Sequence, residues 1–236
     1  MRILAIGGSG DVGRLILPRL AGRFDLRVFD LREPPDTASL EFCRGDVTDF
    51  DAVRAAADGC DVVMYMAMGA KAGWNTTATW AASQFDVNVK GVHTSLNAAA
   101  EVGCSKAVLA SSMSVFDDYL DPRQLSLPPA ASDVYGLTKR LGELAAEAVA
   151  VRTGLTVNIL RLVGPMADDE WMAARDSVHS HVVTAGSDVA RAFEAAALRQ
   201  PHSGAATYVI AGDFDHQALD LTPARDHLGW VPLARR

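Results

Sequence analysis

The run Gly7-Gly8-Ser9-Gly10-Asp11-Val12-Gly13 constrains this chain more than any other stretch. It stands directly between an apolar, strand-like segment at 2–6 and a segment of helical period at 12–21. Both the GxxGxxG spacing (7, 10, 13) and the GxGxxG spacing (8, 10, 13) are satisfied. Glycines at those places permit a tight turn, let backbone N–H groups approach a pyrophosphate, and seat the helix closely on the strand. A turn of this kind belongs to a βαβ unit, and the rest of the chain repeats the alternation. Further strands are expected at 26–29, 40–43, 61–66, 107–111, 156–160 and 206–210. Helices are expected at 50–57, 79–102, 134–152 and 187–198. Strands alternating with helices imply right-handed crossovers and a parallel sheet. The expectation is an α/β chain, a doubly wound parallel sheet over 1–236 with a small C-terminal substrate-binding region.

Two stretches break the alternation. Residues 117–131 are polar and Pro-rich, and 164–186 has no clean period and carries Trp171, His179 and His181. Loops after strand C-termini wall the ligand crevice of such a sheet. Substrate-binding elements are therefore expected mainly in 112–133 and 164–186. The net charge of −7 disfavours a nucleic-acid partner. No apolar run approaches the ~20 residues of a membrane span. Three cysteines without CxxC spacing argue against a disulfide framework or a zinc site. His179 and His181 lack a third ligand in range, so no metal is expected. Cytoplasmic localisation is the expectation.

The cofactor reading extends beyond Gly7, Gly10, Asp11, Val12 and Gly13. Asp30 ends the second expected strand, 17 residues after Gly13. A carboxylate there accepts hydrogen bonds from ribose hydroxyls and repels a 2′-phosphate, which favours NAD over NADP. Arg32 opposes that preference, since an arginine near this point accommodates the phosphate. Asp46 and Val47 follow the third strand, where a carboxylate and an aliphatic side chain suit an adenine edge and face. Ala67, Met68 and Gly69 follow the fourth, where small residues let a cofactor lie against backbone.

Tyr135 and Lys139 form a YxxxK pentapeptide. With 4 Tyr and 4 Lys in 236 residues, chance supplies it about 0.07 times. Residues i and i+4 share a helix face. A lysine ammonium beside a phenol is expected to lower the phenol's pKa and fit it for general acid–base work on a C–OH or C=O. The fifth strand ends Ser111-Ser112-Met113-Ser114, and one of these hydroxyls is expected on the substrate oxygen. Asn88, in the helix expected at 79–102, is read as bonding backbone near the site. Arg175 is a candidate grip for a substrate carboxylate.

Together the glycine turn, Asp30, Gly45-Asp46-Val47, Asn88-Val89-Lys90-Gly91, the Ser111–Phe116 run, Tyr135/Lys139 and Arg161…Gly164-Pro165 resemble the extended short-chain dehydrogenase/reductases, the NAD-dependent epimerase/dehydratase family. The ending Ala224-Arg225-Asp226-His227-Leu228-Gly229-Trp230-Val231-Pro232 resembles it too. The resemblance implies a Rossmann fold, Tyr135 as acid/base, Lys139 on the nicotinamide ribose, and Ser112 as the catalytic serine. Family dehydratases carry Asp-Glu where this chain has Met113-Ser114, so dehydration is not expected. Only 71 residues follow Pro165, and the short chain looks like the uronate dehydrogenases, which have Asn-His at 113–114. Met113 and Ser114 then face the substrate.

The leading expectation is an NAD-dependent oxidoreductase acting on a small sugar or sugar acid. A nucleotide-sugar epimerase with retained NAD is a second reading, and a non-catalytic NAD-binding sensor a third. Small residues along 79–102 and 134–152 lead us to expect a homodimer through those helices.

Overall fold

Strand β1 (Arg2–Ile6) is buried on both faces: Ile3 and Ala5 enter one apolar layer, Leu4 and Ile6 the other. That is the environment of a strand covered by helices on two sides. The computed structural model describes residues 1–35, 40–174, 180–215 and 218–235. After β1 come α1 (Asp11–Leu20), β2 (Asp25–Asp30), β3 (Glu41–Arg44), α2 (Phe50–Ala57) and β4 (Val62–Tyr65). Then follow α3 (Ala78–Phe85), α4 (Val92–Glu101), β5 (Lys106–Ser112), α5 (Pro122–Leu125), α6 (Val134–Thr153) and β6 (Thr156–Leu162). The chain ends with α7 (Asp168–Ala173), α8 (Gly186–Leu198), β7 (Ala205–Ile210) and α9 (Thr222–Leu228). Among the described residues seven strands pair in parallel, in the order β3-β2-β1-β4-β5-β6-β7. The order reverses between β1 and β4, and the C-terminal ends of those strands open the crevice in which such sheets bind ligands.

Helices α1 and α8 cover one face through Ile16, Leu17, Val189 and Phe193. Helices α2, α4 and α6 cover the other through Val53, Leu96, Ala99, Ala146 and Val149.

The helix expected at 79–102 is divided. A π-helical segment, Asp86–Gly91, joins α3 to α4. Its cause is tertiary. The buried Tyr65 hydroxyl donates to the Val87 carbonyl at 2.6 Å. A Cβ on Gly91 would lie 2.5 Å from that same hydroxyl. The wider turn frees a carbonyl for Tyr65 and settles the helix on β4. The irregular stretches also hold short helices that periodicity did not reveal: α5 within 117–131 and α7 within 164–186, with α9 near the C-terminus.

The C-terminal tail is clasped to α8. The buried Asp188 carboxylate accepts from the backbone N–H groups of Leu233 and Ala234, both at 3.0 Å, and pairs with Arg191. Arg191 also donates to the Val231 carbonyl at 2.8 Å, and the Trp230 indole N–H to the Asp188 carbonyl at 3.0 Å. Asp188→Ala strips three donors of their acceptor. It is expected to cost about 2–4 kcal/mol, read as a lower urea midpoint at unchanged slope. A loss below ~0.5 kcal/mol, the range of ordinary surface changes, contradicts the clasp.

Candidate active site

Gly7 has φ +78°, and a Cβ there would stand 2.3 Å from the Ala67 nitrogen. A Cβ on Gly13 would stand 2.2 Å from the Gly8 carbonyl oxygen. The turn therefore lies against the segment after β4 and α1 lies on the turn, both closer than a side chain allows. Gly10 is the N-cap of α1 and supplies no side-chain cap. The first N–H groups of α1, at Asp11, Val12 and Gly13, thus carry the helix's positive end to the crevice mouth, the arrangement that receives a phosphate. Lys71, from the loop after β4, forms an ion pair with Asp11 and so adds a cation at this mouth.

Asp30 ends β2 beside the turn. Its carboxylate accepts from the Ser9 N–H at 3.0 Å and the Arg32 N–H at 3.1 Å, which holds it rigidly. The Arg32 side chain is exposed. Asp46 accepts from the Thr48 N–H and hydroxyl at 2.8 and 2.9 Å, while Asp49 caps α2. Val47 is buried against the π segment, where a Cβ on Gly91 would stand 2.7 Å from its Cγ2. Ala67, Met68 and Gly69 follow β4 across from Gly7. The next residue, Ala70, is anchored to α3 by the Ser83 hydroxyl and the Gln84 amide, each at 3.0 Å.

Asp133 caps α6, accepting from the N–H groups of Tyr135 at 3.0 Å and Gly136 at 3.1 Å. A Cβ on Gly136 would sit 2.1 Å from the Ser114 carbonyl oxygen, so α6 begins flush against the 3₁₀ turn Met113–Val115. That contact brings Tyr135 to Ser112. The Ser112 hydroxyl accepts from the Ser114 N–H and donates to the Ser114 hydroxyl, both at 3.1 Å. Met113, expected to face the substrate, is buried in the core. Ser111, the other hydroxyl considered, is buried and donates to Glu143 at 2.6 Å.

Lys139 donates to the Ala110 carbonyl at 3.0 Å, and its ammonium lies 5.9 Å from the centre of the Tyr135 ring. The expectation that Lys139 draws the phenol's pKa down is corrected. Burial pushes Tyr135 upward, the Ser112 hydrogen bond pulls it down, and the Asp133 charge raises it, leaving it above the usual value. Lys139 is itself lowered to about 8 by burial, against the upward pull of Glu143.

Sequence reasoning missed the support beneath these groups. Asn88 donates at 3.0 Å to both Gln84 and the Thr138 hydroxyl, side chain to side chain rather than to backbone. Glu143, four residues after Lys139, takes Arg161 in two hydrogen bonds at 2.9 and 2.7 Å. The i+4 spacing was the available signal for Glu143; its partner on β6 had none. A cavity of about 10 Å³ beside Asn88, Ser111, Lys139 and Gly142 has room for one water. Trp171 is buried and donates to the Val183 carbonyl at 2.9 Å. Arg175 and His179 lie outside the described residues. Among the described residues no cluster of His, Cys, Asp or Glu could hold a metal ion, and no helix is long and apolar enough to cross a membrane.

The model of the NAD-dependent epimerase/dehydratase family matches residues 3–190. The chain belongs to that family. It is an enzyme of this NAD-dependent short-chain dehydrogenase/reductase group. Among its relatives, the L-arabinose 1-dehydrogenase (NAD(P)(+)) of Haloferax volcanii is 29% identical over 98% of this chain and 96% of its own length. In fold this family member is similar to the uronate dehydrogenase of Agrobacterium tumefaciens (TM-score 0.78, 24% identity, 99% of this chain and 84% of that one). MoeE5, solved with UDP-glucuronic acid and NAD, gives a TM-score of 0.78 at 21% identity, covering 100% of this chain and 95% of that one.

The Lys139 shift makes a stability prediction. In the unfolded chain the lysine titrates near 10.5, in the folded chain near 8. Between those values the unfolded state holds the extra proton, so stability rises with pH across this window; below pH 8 the full cost of the buried charge is present. Lys139→Met is therefore expected to be more stable than wild type at pH 7 by about 1–3 kcal/mol, with the gap closing toward pH 10. Urea unfolding at both pH values measures it, and an unchanged gap contradicts it.

Proposed function

We propose that this enzyme is an NAD-dependent oxidoreductase that acts on a hydroxyl or carbonyl of a small sugar or sugar acid through Ser112, Tyr135 and Lys139. The observation that carries the reading is the junction of the α6 N-terminus with the end of β5. There a half-buried phenol, a serine hydroxyl and a buried ammonium share one corner of the crevice. The full-length likeness to an L-arabinose dehydrogenase and the fold likeness to a uronate dehydrogenase support the substrate class.

The glycine turn and the α1 N-terminus fit a pyrophosphate, and Asp30 fits ribose hydroxyls. Bound there, NAD supplies the hydride acceptor at its nicotinamide ring. Ser112 holds the substrate oxygen by a hydrogen bond. Tyr135, as phenolate, removes the hydroxyl proton as hydride leaves the same carbon, and as phenol returns it in the reverse direction. Lys139, fixed by the Ala110 carbonyl, would hold the nicotinamide ribose, as the family resemblance implies. The elements at 112–133 and 164–186 wall the substrate. The rigid Asp30 carboxylate favours NAD over NADP, since a 2′-phosphate would meet a negative charge already engaged by two N–H groups.

L-arabinose, other aldoses and uronates, each offered with NAD and with NADP, test the reading. Reduced nucleotide is expected to form with at least one sugar, at least tenfold more efficiently with NAD. Tyr135→Phe is expected to lower kcat by about 10²–10⁴, the usual weight of a general acid–base group, with NAD affinity kept. Silence across the panel overturns the reading. Turnover without net reduced nucleotide favours the epimerase, and ligand responses that are identical in wild type and Tyr135→Phe favour the sensor.

We also infer a homodimer through the α3–α4 and α6 faces. Leu144 and Val151 stand exposed on α6 and Phe85 on α3, beside small residues such as Ala82 and Ala148. Apolar, small-residue helix faces suit a four-helix contact about a two-fold axis. Light scattering is expected to give about twice the 25.1 kDa chain mass, and the monomer mass at micromolar concentration contradicts the dimer.

A further inference from the structure

The loop between β4 and α3 carries a half-exposed tryptophan beside the catalytic phenol. Trp74 is 47% exposed, whereas Trp80, Trp171 and Trp230 are 2%, 5% and 1% exposed. Its ring centre lies 5.0 Å from that of Tyr135, tilted by 46°, and 5.3 Å from that of the buried Trp80. An aromatic pair at these distances is favourable, but packing alone does not require half an indole to stay in water.

The backbone is bent to present this side chain. Gly73 has φ +77° and Asn75 φ +55°, so Trp74 stands between two left-handed residues. Asn75 is the one non-glycine residue with positive φ among those described. Asparagine tolerates that region better than most residues, yet it is uncommon and is kept where surrounding contacts enforce it. Here Thr76 enforces it, donating from both its N–H and its hydroxyl to the Gly73 carbonyl at 3.0 Å. Thr77 then caps α3 by accepting from the Trp80 N–H at 3.1 Å. At its other end the loop is tied to α1 through Lys71 and Asp11, and to α3 through Ala70. The loop is a hook pinned at both ends, with an indole at its tip.

We infer that Trp74 is a substrate-binding, specificity-determining residue, its indole forming the apolar wall on which the C–H face of a single sugar ring lies while Ser112 and Tyr135 hold the reacting oxygen. The inference rests on the reading of the site as a sugar dehydrogenase. A sugar presents hydroxyls at its edge and C–H bonds on its faces. A pocket for it therefore needs a few fixed polar groups and one flat apolar surface. Ser112 and Tyr135 are the polar groups at this corner. Trp74 is the exposed aromatic surface beside them, its ring centre 5.0 Å from that of Tyr135. A wall formed from a pinned loop also fixes which face of the ring meets the hydride acceptor.

Because the other three indoles are buried, Trp74 is its own reporter. Acrylamide quenching of tryptophan fluorescence is expected to fall when L-arabinose or D-glucuronate, whichever wild type oxidises, is added to the enzyme with NADH. Trp74→Phe is expected to lose the quenchable fraction and keep KM within about threefold. Trp74→Ala is expected to raise KM at least tenfold with kcat within about threefold. Both variants alter an exposed side chain and are expected to fold, which circular dichroism checks. If wild type turns over but Trp74→Ala keeps its KM, or the sugar gives no protection from acrylamide, the inference is overturned and the dehydrogenase reading stands. If wild type turns over no sugar, that reading fails. The inference then stands only if a sugar of the panel still protects Trp74 from acrylamide, and is overturned if none does.

Discussion

Helix α6 lies closer to its neighbours than any side chain would permit. A Cβ on Gly136 would stand 2.1 Å from the Ser114 carbonyl oxygen, and one on Gly142 would stand 2.4 Å from the Asn88 carbonyl oxygen. The two glycines bracket Lys139 on the same helix. Larger residues at either position would lift α6 off the β5 turn or off the π segment, and both functional side chains would move with it. The π segment serves the same contact from the other side. Its wider turn gives Val87's carbonyl to Tyr65 and sets Asn88 where it can hold Thr138, one residue before Lys139.

Beneath this contact lies a buried polar layer that an apolar core would not need. Glu143 accepts from Ser111 and takes Arg161 side-on, while the Arg161 guanidinium also lies 5.4 Å over the Phe116 ring. Burying such a pair gains little stability by itself, since desolvation offsets the attraction. Its effect is on the neighbours. Glu143 opposes the desolvation that lowers Lys139, and Arg161 fixes Glu143. The buried Lys139 is lowered to about 8 by this environment.

Much of this was legible in the sequence where the physics is local. Glycine spacing between strand and helix dictates a turn with close backbone approach, so the geometry of the Gly7–Gly13 turn could be read directly. The Tyr135/Lys139 pair follows from helical spacing, and Asp30 from its place at a strand end. The π segment was not legible, because its cause is a hydroxyl from β4 that sequence distance hides. Nor was the raised phenol of Tyr135, since burial depends on what α6 meets and outweighs a lysine whose ammonium is turned to the Ala110 carbonyl. Met113 read as a substrate contact by its position in the chain, but the 3₁₀ turn rotates it into the core. Trp74 was not legible as part of this corner. Its proximity to Tyr135 depends on two left-handed residues, of which only Gly73 carries a sequence signal.

In the proposed reaction one corner of the crevice takes a proton while hydride leaves the same substrate carbon for good. Deuterium on that carbon follows the hydride itself. With a deuterated sugar that the enzyme turns over, one equivalent of label is predicted at the nicotinamide ring carbon of released reduced nucleotide, and the rate is predicted to fall if transfer limits turnover. Label retained in an epimerised sugar, or lost to water, would contradict the account.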